Sequence, residues 1–249
     1  MTNIASGSAI AEIAALLGDP ARANMIAALM GGQALTAGEL AEIAGVTAQT
    51  CSGHLAKLLG AGLLAVEKQG RHRYHRIASG EIAQAVEALT VLAAGGPPRY
   101  RPPGPRDRAL RLARTCYDHM AGQLGVAVSD SFQARKLVIV ADGAAMVTDG
   151  GKGMMASLGA SFANGDGARR MACRVCLDWS ERRHHLAGRL GADLLRWSLE
   201  QRWVARVQGD RTLALTRAGE QGFKEIFRVG RDVRGALVYL DKGLSLPCR

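Results

Sequence analysis

The chain has no run of the roughly 18 uninterrupted apolar residues that a membrane helix needs. Its start, "MTNIASGSAIAEIAALLGDPAR", lacks the basic opening of a secretory signal. Together these absences predict a cytoplasmic protein without a membrane partner. Cysteines are few and odd in number, five over 249 residues, which argues against a disulfide framework and for reduced thiols. No glycine-rich phosphate loop and no Ser-His-Asp order stands out, so the motifs do not argue for an enzyme. Acidic residues are outnumbered: 32 Lys and Arg face 22 Asp and Glu, for a net charge of +10. That excess favours an anionic partner.

Proline is concentrated. The stretch "GGPPRYRPPGPRD", residues 95–107, holds five of the seven prolines. It resists both helix and sheet and reads as an extended linker, whose Arg99, Arg101 and Arg106, with Arg108 beyond, add positive charge. The expected domains are therefore 1–94, a linker at 95–107, and 108–249. Charge is also uneven within the first domain, where six basic residues stand against seven acidic ones. Five of the six, Lys57, Lys68, Arg71, Arg73 and Arg76, fall between residues 57 and 76. A nearly neutral domain with one basic edge is suited to docking that edge on phosphates.

Helix punctuation is explicit in this domain. Asp19 before Pro20 reads as an N-cap with proline at the first helical position. Thr36 and Glu39 form a capping box opening "AGELAEIAG", which Gly45 should end in a left-handed turn. Thr47 then caps "AQTCSGHLAKLLGAG". With Leu40, Ile43, Val46, Leu55 and Leu58 facing inward, this is a helix-turn-helix. "LLAVEKQGRHRYHRI" follows as two strand-like runs about a glycine turn, which makes the wing of a winged helix. A last helix, capped by Ser79, is apolar at Ile82, Val86, Leu89, Val91 and Leu92, broad enough for a dimer seam.

The order "LGDPARANMIAAL", "LTAGELAEIAGVTAQTCSGHLAKLLGAGLL", "EKQGRHRYHRI" resembles the ArsR/SmtB family of bacterial winged-helix repressors over about residues 8–94. The residues closest to the family pattern are Ser52, His54, Leu55, Leu58, Ala61, Gly62 and Leu63, with the wing at Gly70 and Arg71. The resemblance implies a homodimer that reads a palindromic double-stranded operator and is released by an effector. A recognition helix presents its N-terminal residues to base edges, so Thr47, Gln49, Thr50, Ser52 and His54 are the candidate readers. Lys57, Lys68, Arg71 and Arg73 are candidates for phosphates. Cys51 lies among them, either as a small residue packed behind the helix or as a thiol switch. The family's usual metal ligands are missing, because "AGELAEIAG" and "GEIAQAVEALTVLA" contain neither Cys nor His. An inducer site, if there is one, lies elsewhere. His72 and His75 read as surface or phosphate-facing residues of the wing.

Beyond the linker the sequence repeats. "ARTCYDHMAGQLG" aligns with "ACRVCLDWSERRHHLAGRLG", matching Arg114 with Arg174, Cys116 with Cys176, Asp118 with Asp178, Gly122 with Gly188, and, further on, Thr148 with Thr216. Two tandem repeats, about 112–163 and 172–229, are expected. Each reads as a helix, a hairpin turned at Asp142-Gly143 or Gly209-Asp210, and a capped helix. The fold class is then α+β, mainly α: a winged helix-turn-helix domain and a duplicated helix/β-hairpin, winged-helix-like domain.

Cys116, Asp118, His119, Cys173, Cys176 and Asp178, with His184 and His185 nearby, carry metal-ligand chemistry. On a helix, Cys173 and Cys176 would share a face. Metal binding at this Cys/His/Asp cluster, a thiol activated by neighbouring arginines, a small-molecule effector in the crevice, and simple core packing all remain open. Trp179, Trp197 and Trp203 anchor the core or line that crevice. The leading reading is a sequence-specific DNA-binding regulator; the alternatives are a Cys-x2-Cys redox enzyme and a DNA-binding scaffold without sequence preference.

Overall fold

The computed structural model describes residues 7–69, 72–94, 105–141, 144–159, 171–208, 210–232 and 235–240. The wing-tip residues Gly70 and Arg71, the linker residues Arg99 and Arg101, the turn residues Asp142, Gly143 and Gly209, and Cys248 lie outside that set. The chain divides into two compact units, Met1–Glu87 and Ala88–Arg249. Among the described residues no helix is long and apolar enough to cross a membrane.

The first unit runs α1 (Gly7–Leu17), α2 (Pro20–Leu29), β1 (Leu35–Thr36), α3 (Ala37–Ala44), α4 (Ala48–Gly60), β2 (Leu64–Gln69), β3 (His72–Ile77) and the start of α5 (Gly80–Ala94). Its punctuation follows the sequence. The Asp19 side chain accepts from the Arg22 amide, and Pro20 fills the first turn of α2. Thr36 and Glu39 cap each other's backbone at α3, and Gly45 closes that helix at φ 66°, a conformation that costs glycine little. Thr47 caps α4. The strands form an antiparallel sheet in the order β1-β3-β2.

Met25, Ile26, Leu29, Leu40, Leu55, Leu58, Leu64 and Ile77 form the core of this unit. Two expected inward positions differ: Ile43 is exposed and Val46 is half-buried. At roughly 100° per helical residue, the buried face of α3 centres between Leu40 and Ala41, and Ile43 falls well to one side of it. His75 is corrected as well. It is buried beside the Leu35 carbonyl, because its place in β3 turns it to the core face.

The second unit continues through α6 (Pro105–Leu112), β4 (Arg114–Cys116), β5 (His119–Ala121), α7 (Gly122–Ala134), β6 (Val138–Ala141), β7 (Ala144–Val147) and α8 (Asp149–Ser157). After these come β8 (Arg174–Leu177), β9 (His184–Ala187), α9 (Gly188–Glu200), β10 (Val204–Arg206), β11 (Leu213–Leu215), α10 (Arg217–Phe227), β12 (Val229–Arg231) and β13 (Leu237–Tyr239). The order hairpin, helix, hairpin, helix occurs twice. α6 opens at Pro105, inside the stretch read as linker.

One expectation is overturned here: the residues around Arg114 and Arg174 are strands, not helices. Each segment is a short hairpin whose second strand runs directly into a glycine at φ 74° (Gly122) or 77° (Gly188). The helix starts only at that glycine. The hairpins cross-pack, with α7 against β9 and α9 against β5. Gly125 and Gly191 sit at these crossings, where an added Cβ would fall 2.4 Å from the Met120 carbonyl oxygen or 2.5 Å from that of Leu186. The core beside them is aromatic, with Trp197 edge-on to Trp203 at 4.7 Å and Phe223 and Phe227 packed alongside. Trp179 instead lies under the Arg114 guanidinium at 4.4 Å.

Helix α8 supplies an internal test of this packing. A Cβ on Gly151 would lie 2.2 Å from the Leu137 carbonyl oxygen, whereas one on Gly153 meets nothing within 4 Å. Gly153→Ala is expected to stabilise the unit by about 0.5–1 kcal/mol through lost chain entropy. Gly151→Ala is expected to destabilise it by about 1–3 kcal/mol through overpacking. Thermal unfolding midpoints of the two variants should therefore move in opposite directions.

Candidate functional site

Helix α4 buries Cys51, Leu55 and Leu58 on one face and turns a polar face outward. Thr47, Gln49, Thr50, Ser52 and Lys57 are all exposed. The Thr47 hydroxyl accepts from the Thr50 amide, and the Ser52 hydroxyl donates to the Ala48 carbonyl; Gln49 and Lys57 reach furthest into solvent by length. His54 is half-buried, with Nδ1 3.3 Å from Nη1 of Arg22. A guanidinium only donates, so Nδ1 accepts and the imidazole proton sits on Nε2. Arg22 is itself anchored, donating to the carbonyls of Leu16 at 2.6 Å and Ala15 at 3.0 Å. Cys51 is fully buried, and its thiol donates to the Ala37 carbonyl at 3.3 Å. Burial pushes that thiol above its ordinary pKa, away from the reactive thiolate. This is the packed residue of the two readings.

On the wing, Lys68 of β2 stands directly opposite Arg73 of β3, and both are exposed. Like charges in that relation destabilise a hairpin. Arg76 is different, since it pairs with Glu67 at 2.6 Å.

The second constellation is built by the two short hairpins of the second unit. In β4-β5 the register sets Cys116 opposite His119, and in β8-β9 it sets Cys176 opposite His185. The hairpins face each other. Cys116 Sγ lies 3.9 Å from Cys176 Sγ, and His119 Nε2 lies 3.2 Å from His185 Nε2. The four ligand-type atoms all fall within 4.8 Å of one another. Cys116, His119 and His185 are buried, while Cys176 is partly so.

Carboxylates stand behind both rings. Asp118 Oδ1 is 3.1 Å from His119 Nδ1, and Asp178 Oδ2 is 3.3 Å from His185 Nδ1. Asp178 also receives Arg114 Nη2 at 2.8 Å and the Gly122 amide at 2.7 Å, together with the amides of Ser180 and Glu181. Burial disfavours the Asp178 charge, yet His185 and Arg114 hold its carboxyl well below the ordinary range. Burial likewise disfavours a charged His185, but Asp178 and Cys176 raise it to about 9. The Cys116 thiol, with His119 and His185 and against burial, holds Cys176 far below a normal thiol.

Cys173 does not join this group. It is buried, contacts the Arg174 carbonyl at 3.9 Å, and is pushed up to about 11, chiefly by burial. Residues three apart share a face on a helix but point oppositely along extended chain, so the Cys-x2-Cys spacing loses its meaning once β8 is a strand. Asp118 and Asp178 back the rings instead of facing the sulfurs, and His184 is exposed while His185 turns inward. The pairing of His119 with His185 was readable in the repeat alignment. The offset is 60 at Cys116 and Cys176 but 66 at Gly122 and Gly188, so the insertion lies in the second hairpin's turn, and 119 plus 66 is 185.

A profile described as a helix-turn-helix domain matches residues 17–67. The uncharacterized HTH-type transcriptional regulator YdfF of Bacillus subtilis (strain 168) is 40% identical over 220 residues, covering 88% of this chain and 97% of that protein. The match is longer than the first unit and so runs into the second. The HTH-type transcriptional regulator CmtR of Mycobacterium tuberculosis (strain ATCC 25618 / H37Rv) is 34% identical over 82 residues, 33% of this chain and 69% of that one. Among solved structures, M. tuberculosis Rv0081 aligns with a TM-score of 0.32 at 30% identity, over 34% of this chain and 87% of its own. The chain belongs to the helix-turn-helix transcriptional regulators, with the ArsR-like winged helix that its sequence resembles.

Proposed function

We propose that this chain is a homodimeric repressor that reads a palindromic operator through α4 and is released when an effector reaches the Cys/His cluster of its second unit. The observation that carries the DNA-reading half is the exposed polar face of α4 beside a wing on which Lys68 opposes Arg73. Two like charges held opposite each other are relieved by a phosphate between them. On the reading helix, Gln49 offers a bidentate amide suited to an adenine edge, while Thr47, Thr50 and Ser52 offer hydroxyls. His54 presents an Nε2 donor steadied by Arg22, and Lys57 reaches the backbone. Arg71, outside the described residues, completes the basic wing in this reading.

The homodimer is supported by apolar side chains left in solvent. Ile10 on α1 is 63% exposed, and Leu89 and Leu92 on α5 are 48% and 73% exposed. A helix that stays apolar on an exposed face is suited to a partner surface, and a twofold dimer presents two recognition helices to two half-sites. Against the Cys-x2-Cys redox alternative, Cys173 stands outside the cluster, and the two sulfurs that approach each other at 3.9 Å, Cys116 and Cys176, come from different hairpins.

Selection of bound duplexes from a random pool by the full-length protein is expected to enrich a palindrome. Gln49→Ala and Ser52→Ala should each relax preference at one base position per half-site, by about 1–3 kcal/mol. Lys68→Ala and Arg73→Ala should weaken all duplexes alike and lower the salt slope by about one each. A pool with no enriched sequence overturns operator reading in favour of the scaffold.

Replacing Leu92 with glutamate tests the assembly. Sedimentation should shift from dimer to monomer, with operator affinity falling alongside; a variant that remains dimeric with unchanged affinity removes Leu92 from the interface.

A further inference from the structure

Two histidines place their Nε2 atoms 3.2 Å apart, with a carboxylate oxygen 3.1 Å from the Nδ1 of one and 3.3 Å from that of the other. Without an ion, one Nε2 must keep a proton and donate to the other. Two cysteine sulfurs join them, and all four ligand-type atoms fall within 4.8 Å of one another, so a cation that displaces the shared proton takes up four lone pairs at once.

Two of the group's edges match one kind of centre, and all four atoms lie within 4.8 Å of one another. A tetrahedral ion with metal–sulfur bonds of about 2.3 Å and metal–nitrogen bonds of about 2.0–2.1 Å sets its two sulfurs about 3.8 Å apart and its two nitrogens about 3.3 Å apart. The observed edges are 3.9 Å between sulfurs and 3.2 Å between nitrogens. The outer groups fit as well, since ring nitrogens that ligate a metal characteristically have a carboxylate or carbonyl behind the other nitrogen. Asp118 and Asp178 lie at those positions, 3.1 Å and 3.3 Å from the ring nitrogens. Two thiolates and two imidazoles suit a borderline or soft ion and disfavour calcium and magnesium, which prefer oxygen.

We propose that Cys116, His119, Cys176 and His185 form a closed, tetrahedral site for one divalent ion of the zinc class per chain. All four positions are filled by protein, so the site has no open position for substrate water and is structural or sensory in kind, not hydrolytic. Each hairpin contributes one sulfur and one nitrogen, so the ion clips β4-β5 to β8-β9 across about 60 residues of chain. Asp118 and Asp178 are positioning residues that aim the two rings. This deepens the sensing half of the function proposed above by naming the ligand class, and the site itself does not depend on DNA binding.

The test uses full-length protein, reduced, stripped by a chelator and titrated with Co2+ and then Zn2+. One Co2+ per chain is expected, with the intense ligand-field bands of a tetrahedral site and a thiolate-to-cobalt charge-transfer band, both bleached by one equivalent of Zn2+. Cys116→Ser and Cys176→Ser should each weaken the charge-transfer band, whereas Cys173→Ser should leave it intact. Asp118→Asn should keep the tetrahedral spectrum but weaken binding by about 10–100-fold. A wild-type protein that takes up no Co2+, or shows only the pale spectrum of six-coordinate oxygen ligation, overturns the site whether or not any variant folds. So does a charge-transfer band lost in Cys173→Ser and kept in Cys176→Ser.

Operator affinity measured on the same stripped and loaded samples separates the two readings. Operator binding without tetrahedral uptake sinks the metal site and leaves the regulator standing. Tetrahedral uptake that leaves operator affinity unchanged keeps the site and sinks its role in release.

Discussion

The carboxylate of Asp178, with no exposure to solvent, is held between an equally buried Arg114 and the ring of His185. It also takes the backbone amide of Gly122, the residue that starts α7. One side chain thereby ties the first hairpin, the first helix and the second hairpin together. Such a pair is not a simple source of stability, because stripping water from two ions costs nearly what their attraction returns. Its effect is to remove alternatives. Any arrangement that pulls Arg114 away leaves an unpaired charge in the interior, and breaking a buried pair in that way costs about 3–5 kcal/mol. The Trp179 ring against the guanidinium at 4.4 Å and the Ser180 hydroxyl at 3.1 Å satisfy more of Arg114, which narrows the choice further.

The aligned residue of the first repeat lives differently. Asp118 keeps a quarter of its side chain in solvent and lies 3.1 Å from the His119 ring. Arg174, the counterpart of Arg114, is likewise only half-buried. The two halves therefore share the positions that shape the Cys/His cluster and differ in what lies behind it. Gly125 against His185 and Gly191 against His119 show the same exchange, each half's helix packing against the other half's histidine, whose Cβ lies 3.5 Å or 3.0 Å from where a glycine Cβ would sit. A site assembled this way exists only when both halves are in register. That is the property needed for a ligand there to report on, or fix, the arrangement of the whole unit.

Much of the first unit was legible because its signals are local. Asp19-Pro20, the Thr36–Glu39 box, Gly45 and Thr47 each act within one helical turn, and each sits where its chemistry placed it. Thr148 and Thr216 were legible for the same reason. The hairpins at 114–121 and 174–187 were not. Their strands are three or four residues long, too short to show a period of two, and their partners in the packing are some 60 residues away. The Cys-x2-Cys spacing then misled, because its meaning depends on whether the backbone is helical or extended. His75 was misplaced for a related reason, since the face a strand residue occupies is set by register and not by the charges around it.

The two units solve opposite problems with the same residue types. On the first, polar side chains and like charges are left facing water, Gln49 and Lys57 on the helix and Lys68 against Arg73 on the wing, so favourable partners must come from outside. On the second, histidine, cysteine, aspartate and arginine are drawn inside, where every lone pair needs a donor or a cation. A buried network of that kind is bistable in principle: complete, it is rigid; short of one positive centre, it must rearrange or take up a proton. A ligand that completes it shifts DNA affinity only as far as the completed and incomplete states differ in their grip on DNA, and about 1–3 kcal/mol of such difference is what allosteric coupling ordinarily amounts to. That is small beside the cost of an unpaired buried charge, so the energy held in the Asp178 and Cys/His network is sufficient to drive the coupling if the two states bind DNA differently.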